Sequence, residues 1–276
     1  MTPEPAPPRP GVAQRLLALL AAFDAEHREL TLTALARRAG LPAATAHRLI
    51  GQLTAWGALE QSESGGYRIG LRLWEVAMLA PRSSGLRRAA LPFMEDLYET
   101  THENVQLAVR DGFDTLYVEL ISGRSAVVVR TTVGSRWPLH ATGVGLVLLA
   151  FAEPGVQERV CAAPLARFTG HTITDPARLR ATLAEVRRAD AAVSERQITK
   201  DAVSVAAPIR NAAGTVVAAL SLVVPATTNA AALVPAVRMA ARGSSRALGY
   251  LGGAATSDGF HAVDFHPVER PLAEDP

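Results

Sequence analysis

Residues 31–56 read TLTALARRAGLPAATAHRLIGQLTAW. Leu32, Leu35, Ala36 and Ala39 recur at the spacing of one helix face, Thr31 stands where an N-cap belongs, and Gly40 stops the pattern. Leu41-Pro42 opens a further helix, because a proline in the first turn has no amide to leave unpaired. Ala46, Leu49, Ile50 and Leu53 form its apolar face, and it ends near Trp56-Gly57. Two short helices joined by a glycine-containing turn predict a helix-turn-helix.

The flanking sequence extends this unit to residues 11–70. Val12, Leu16, Leu19, Leu20 and Phe23 predict an amphipathic helix before it. The run from Leu16 to Phe23 resembles the apolar region of a signal peptide. No small-residue cleavage site follows it, and it is read as a core helix. Leu59-Glu60-Gln61 and Tyr67-Arg68-Ile69 predict two strands around the turn Ser64-Gly65-Gly66, a hairpin in the position of a wing. A connecting helix over Leu71–Leu79 and a break over Pro81–Gly85 make 71–85 a linker.

The pattern changes over 86–251. A helix through Leu97 leads to strands at Val105–Val109, Leu116–Ile121 and Ala126–Val133. Helices follow at Thr142–Phe151 and Ala177–Ala189, then strands at Val203–Ile209 and Val216–Val224, and a long helix at Ala230–Leu251. Strands in hairpins rather than alternating with helices predict an α+β domain with a largely antiparallel sheet. Residues 1–10 are Pro-rich and 252–276 lack periodicity, so both are expected to be disordered.

Composition removes several function classes. The chain has 276 residues, 49% of them hydrophobic, enough for two modest cores. Its formal net charge of +2 permits nucleic-acid binding without arguing for it. Cys161 is the only cysteine, which excludes a disulfide framework and a Cys-rich zinc site and fits a reducing cytoplasm. No apolar run reaches membrane-spanning length. No cofactor motif is present: Gly143-Val144-Gly145 lacks the third glycine of a dinucleotide fingerprint. Ser135 lacks the context of a nucleophile elbow, and His102, His140 and His171 are too scattered for a metal site. His140 reads as a hydrogen-bonded structural histidine, and Cys161 as a small buried hydrophobe.

The sharpest functional signal lies on the helix after Pro42. Opposite its core face stand Ala44, Thr45, His47, Arg48, Gly51 and Gln52. Small residues at the helix start permit close approach to a groove, Arg48 and Gln52 suit guanine and adenine edges, and Thr45 suits a phosphate or a thymine methyl. One such helix alone would read as a solvated face. Two helices plus a wing, close to the N-terminus, point to double-stranded DNA. On the wing, Arg68 is a candidate phosphate contact, opposed by Glu60 and Glu63. Arg37 and Arg38 serve either a helix C-terminal dipole or a phosphate.

These residues resemble the IclR-type transcriptional regulators. The likeness runs over about residues 11–250. It rests on residues 30–42, on Thr45-Ala46-His47-Arg48-Leu49, on Tyr67-Arg68-Ile69-Gly70 and on residues 133–142. Thr172-Ile173-Thr174-Asp175 and Val205-Ala206-Ala207-Pro208-Ile209 complete it. The resemblance implies a winged helix-turn-helix, a GAF-like effector domain, tetramers built as dimers of dimers, and effector control of operator binding by a cytoplasmic repressor or activator. It implies an effector pocket of Ala126, Val129, Gly143 and Val144, with polar contacts from Ser204 and Ser221. Two departures bear on the effector's charge. The family's lysine after the second glycine is Leu146 here, and Ser194 stands where some members carry an acid. The effector is expected to be a small organic molecule, a carboxylate or an aromatic compound. Strand alternation also places Ser204 among Ala206 and Pro208, and Ser221 among Val217, Ala219 and Val223, small residues that leave space. The rival from another class is a small-molecule sensor or enzyme-like domain whose winged helix mediates protein association. An enzyme would need a paired nucleophile and base, and the sequence offers none.

Overall fold

A computed structural model of the chain describes residues 10–24, 26–79, 81–123 and 126–252. The expectations for the first nine residues and for 253–276 lie outside the described residues. The N-terminal unit contains α1 (Val12–Leu20), β1 (Glu29–Leu30), α2 (Leu32–Arg38), α3 (Ala43–Trp56), β2 (Leu59–Gln61) and β3 (Tyr67–Ile69). The Thr31 hydroxyl accepts from the Ala34 amide and caps α2, and Gly57 ends α3 at φ 85°, a conformation that suits a residue without Cβ. Leu19, Leu35, Leu49, Ile50 and Leu59 close one core between these helices and the hairpin. Each fully buried side chain of this size stabilises the unit by roughly 1.5–3 kcal/mol. The three strands form a small sheet in the order β1-β3-β2. Arg38 ties α2 to the preceding loop, donating to the Ala22 carbonyl at 2.7 Å and to Asp24 at 2.5 Å. That leaves Arg37, not Arg38, as the cation at the end of α2 without an acid partner among the described residues.

α4 (Leu71–Met78) leads to α5 (Pro81–Thr101). Pro81–Gly85, expected as a break, begins this 21-residue helix instead. A proline at a helix start leaves no hydrogen bond unmade, so the same residue that would interrupt a helix interior starts one here.

The larger unit is a six-stranded sheet in the order β6-β5-β4-β9-β8-β7, every adjacent pair antiparallel. Its strands are β4 (Asn104–Asp111), β5 (Asp114–Ile121), β6 (Arg136–Pro138), β7 (Ala192–Glu195), β8 (Ala202–Arg210) and β9 (Val216–Pro225). Alternation sends Val105, Leu107 and Val109 to one face, under α5 and α9 (Val234–Ala247). The other face, with Ala108, Ala206 and Ala219, packs on α6 (Gly143–Ala150) and α8 (Pro176–Ala189). Both faces are therefore covered, and α6 is buried along its whole length. α7 (Pro154–Ala162) and β7 were not legible in the sequence, and the expected helix over Ala230–Leu251 is a 3₁₀ turn (Ala230–Leu233) followed by the shorter α9.

The strand expected over Ala126–Val133 does not form. The edge of the sheet is β6 instead, and 126–132 runs outside the ladder. Its β-branched residues favour extended backbone, but no neighbouring strand offers a partner edge. Two side-chain amides from β4 hold it: Asn104 Nδ2 donates to the Val127 carbonyl at 2.7 Å and Gln106 Nε2 to Thr131 Oγ1 at 2.6 Å.

Candidate DNA-reading helix and effector cavity

α3 buries Ala46, Leu49, Ile50 and Leu53 and turns Ala44, His47, Arg48, Gly51 and Gln52 to solvent, with Thr45 half-buried. Arg48 and Gln52 are one turn apart, so their polar ends share one stripe of the helix surface. On the wing, Arg68 is exposed and lies 3.5 Å from Glu60 Oε2. Part of its charge is answered within the hairpin. At the wing tip the Ser62 and Ser64 hydroxyls both donate to Glu29 Oε1 at 2.5 Å, and these bonds hold the Glu29 carboxyl below its usual range. The tip therefore presents an anion beside its only cation.

In the larger unit, a cavity of about 70 Å³ lies between the strap 126–132, the first turn of α6 and the sheet. One water requires roughly 10–15 Å³ of such space, so there is room for a one-ring or short-chain molecule. Register explains the polar lining. Ser194 on β7 pairs with Ser204 on β8, and Ser204 pairs with Val223 on β9, so these side chains form one row across the sheet. All three face the cavity. Ser194 is buried, and neither serine hydroxyl has a hydrogen-bond partner among the described residues. The next row carries Ala206, Ser221 and Gln106. Gln106 lines the cavity, and Ser221 sits behind it, donating to Gln106 Oε1 at 3.5 Å.

The opposite wall is the start of α6. Thr142 caps it, its hydroxyl accepting from the Gly145 amide at 3.0 Å. The amides of Gly143 and Val144 precede the first intrahelical bond and carry the positive end of the helix dipole. Tyr117 stands beside Thr142, with its phenol held well above the usual range by burial, so it is a neutral hydroxyl at any working pH. Trp137, Val129 and Val223 supply apolar wall, and Gln197 closes one side while its Oε1 accepts from the Ile173 amide at 3.1 Å.

Of the expected pocket residues, the fold gathers Val129, Gly143, Ser194 and Ser204 around one space. Ala126, Val144 and Ser221 do not line it: Val144 is packed in the core and Ser221 is fully buried. Sequence reasoning missed Gln106, Tyr117, Trp137 and Gln197. A signal existed for Gln106, an amide on an otherwise apolar strand. None existed for Gln197, which follows β7 in an aperiodic loop.

His140 Nε2 bonds to the Ala166 carbonyl at 2.9 Å, and burial holds its pKa below the ordinary value. Burial pushes the Cys161 thiol up, away from reactive thiolate. Among the described residues no group of three metal-ligating side chains exists, and no helix is long and apolar enough to cross a membrane.

Two family models match the chain: the IclR helix-turn-helix domain over residues 12–63, and the bacterial transcriptional regulator IclR C-terminal domain over residues 79–247. The HTH-type transcriptional regulator XynR of Escherichia coli (strain K12) is 30% identical over 211 residues, 76% of this chain and 84% of its own. KipR of Bacillus subtilis (strain 168), also an HTH-type transcriptional regulator, is 31% identical over 194 residues, 70% of this chain and 78% of its own. Among solved structures, an IclR homolog from Microbacterium hydrocarbonoxydans complexed with 4-hydroxybenzoate is 37% identical. It superposes with a TM-score of 0.84 over 86% of this chain and 99% of that one.

Proposed function

The chain belongs to the IclR family of bacterial transcriptional regulators, and from that membership we propose how it reads DNA and what its cavity takes. It is a DNA-binding regulator with an effector-binding C-terminal domain, and its relatives are regulators rather than enzymes. In our reading α3 enters the major groove. Arg48 and Gln52 contact base edges there, Ala44 allows close approach, and Thr45, His47 and Arg68 lie near the backbone. The protein works in the cytoplasm as a homo-oligomer, a dimer or a tetramer, and represses or activates transcription from its operator.

The effector we propose is a small aromatic or short-chain carboxylate. The observation that carries this is the first turn of α6 facing the Ser194–Ser204 pair across a small space walled by both apolar and polar side chains. A carboxylate there would accept from the Gly143 amide and from both serine hydroxyls, in the favourable field of the helix dipole. Val129, Trp137 and Val223 would enclose the ring or chain. With serine at position 194 rather than an acid, no charge in that row repels an anion. The 4-hydroxybenzoate held by the Microbacterium homolog is a compound of this class.

A gel shift with the DNA flanking the gene, with and without 4-hydroxybenzoate, tests both halves. Retarded DNA whose mobility responds to the compound is the expected result. Arg48→Ala should weaken operator binding by about 1–3 kcal/mol and blunt the preference over scrambled DNA. Equal loss on both DNAs would make Arg48 a phosphate contact, and no loss would remove it from the interface.

A further inference from the structure

A second concavity, of about 500 Å³, lies where α8 and α9 end. Four guanidinium groups line it, those of Arg187, Arg210, Arg242 and Arg246, against one carboxylate, Asp190. The local excess of three positive charges is larger than the +2 of the whole chain. Other arginines pair singly with acids, as in Arg72–Glu75, Arg110–Glu153 and Arg180–Glu158, and the unpaired ones stand apart rather than converging on one space. Here the only acid is already committed. Asp190 caps α8 in the left-handed region, at φ 52°, and accepts both terminal nitrogens of Arg210, at 2.6 and 3.4 Å.

Two of the four cations are held in place. The Arg210 guanidinium lies 5.1 Å from the Phe151 ring centroid and 5.9 Å from that of Tyr250. Arg187 donates to the Ala150 carbonyl at 3.1 Å. Arg242 and Arg246 stand one turn apart on α9 and pair with no carboxylate among the described residues. A cation in the last turn of a helix favours the negative end of its dipole, which accounts for Arg187 and Arg246. It does not account for Arg242, a turn earlier, nor for the convergence of all four on one concave space. Bringing like charges together costs free energy that an anion between them would offset.

We propose that this concavity is a second ligand site, separate from the effector cavity, that takes a small anion carrying two phosphate groups. Guanidinium presents paired donors that match two phosphate oxygens at once, which ammonium cannot do. Two phosphate groups carry roughly three negative charges or more at neutral pH, matching the local excess. A single carboxylate would leave most of that excess unanswered.

Calorimetric titration of pyrophosphate into the full chain at physiological salt tests the proposal. One site per chain is expected, with inorganic phosphate at least tenfold weaker. R242E combined with R246E should lower pyrophosphate affinity at least tenfold. R178E, an exposed change at the other end of α8, should leave it within twofold. Unchanged circular dichroism is the check that the double variant folds. No heat at millimolar pyrophosphate whether the acidic residues beyond Gly252 are intact or changed to amides, or equal affinity in the double variant, overturns the site. The chain beyond Gly252 contributes a further test, because it carries Asp258, Asp264, Glu269, Glu274 and Asp275. If pyrophosphate binds only after these five are changed to their amides in the full chain, the acidic stretch is the natural occupant and a free ligand is ruled out.

Discussion

A Cβ built on Gly143 would stand 2.6 Å from Ser204 Oγ, so the effector cavity exists because one side chain is missing. The hydroxyl can rotate away into the cavity, and the Ser204 Cβ, 3.1 Å off, need give by only a few tenths of an ångström. Gly143→Ala should therefore fold and bind operator normally while effector affinity falls at least tenfold, read by calorimetry and gel shift. Retained affinity would place the ligand elsewhere. His140, three residues earlier, shows the opposite use of a polar group. It is buried beside the same turn, bonded through Nε2 to a carbonyl, and its native pKa lies below the ordinary value. The unfolded chain binds that proton more readily. Stability is thus complete above a pH of about 6.5 and is lost as pH falls through that value toward the native pKa. Urea melts at pH 8 and pH 5.5 should show that loss, and His140→Gln should reduce the difference between them. An undiminished difference would assign the acid sensitivity to other groups.

The strap over 126–132 runs outside the sheet and forms no strand ladder. β4 holds it through two side-chain amides, and Val128 on it is 82% exposed. Because Gln106 both lines the cavity and holds Thr131, a ligand that engages Gln106 acts directly on the strap. Segments with few backbone bonds open at low free-energy cost, and Arg130 supplies a tryptic site within this one. Effector should slow cleavage after Arg130, and Gln106→Ala should speed it in the free protein. Mass spectrometry of a timed digest reads both, and a cleavage rate indifferent to effector and substitution would end the idea of a ligand-sensitive strap. The same segment marks the limit of reading structure from sequence here. α2 and α3 were legible because a helix carries its hydrogen bonds internally, and its caps, Thr31 and Gly57, are local. A strand depends on a partner edge that composition cannot show, so Val127, Val128 and Val129 suggested one where none forms. The site divides in the same way. Ser204 followed from strand alternation and Ser194 only from the family resemblance, whereas Tyr117, Trp137 and Gln197 reach the cavity through register and loop path, which are properties of the assembled sheet.

The molecule as described leaves a conspicuous apolar surface uncovered. α4 has no buried residue, although it carries Leu71, Leu73, Trp74 and Val76. Trp74 is 60% exposed and Leu79 80%, and Leu17 on α1 and Ile69 on the wing are also open. Exposed apolar area on this scale is costly in water and marks a contact surface. Its place in the chain, between the DNA-reading unit and the effector unit, suits a second copy. One recognition helix covers too little DNA for tight specific binding, whereas two held in a fixed pair can read half-sites about 34 Å apart. Light scattering at micromolar concentration should give at least a dimer. Trp74→Glu places a charge in the contact. It should reduce the assembly, from tetramer to dimer or from dimer to monomer, and weaken operator binding in the same measure. Effector affinity should hold, because the cavity is lined entirely by residues of the larger unit. A wild-type monomer, or a Trp74→Glu chain of unchanged mass, would mean that something other than a second copy covers this surface, and the paired reading of half-sites would fall with it.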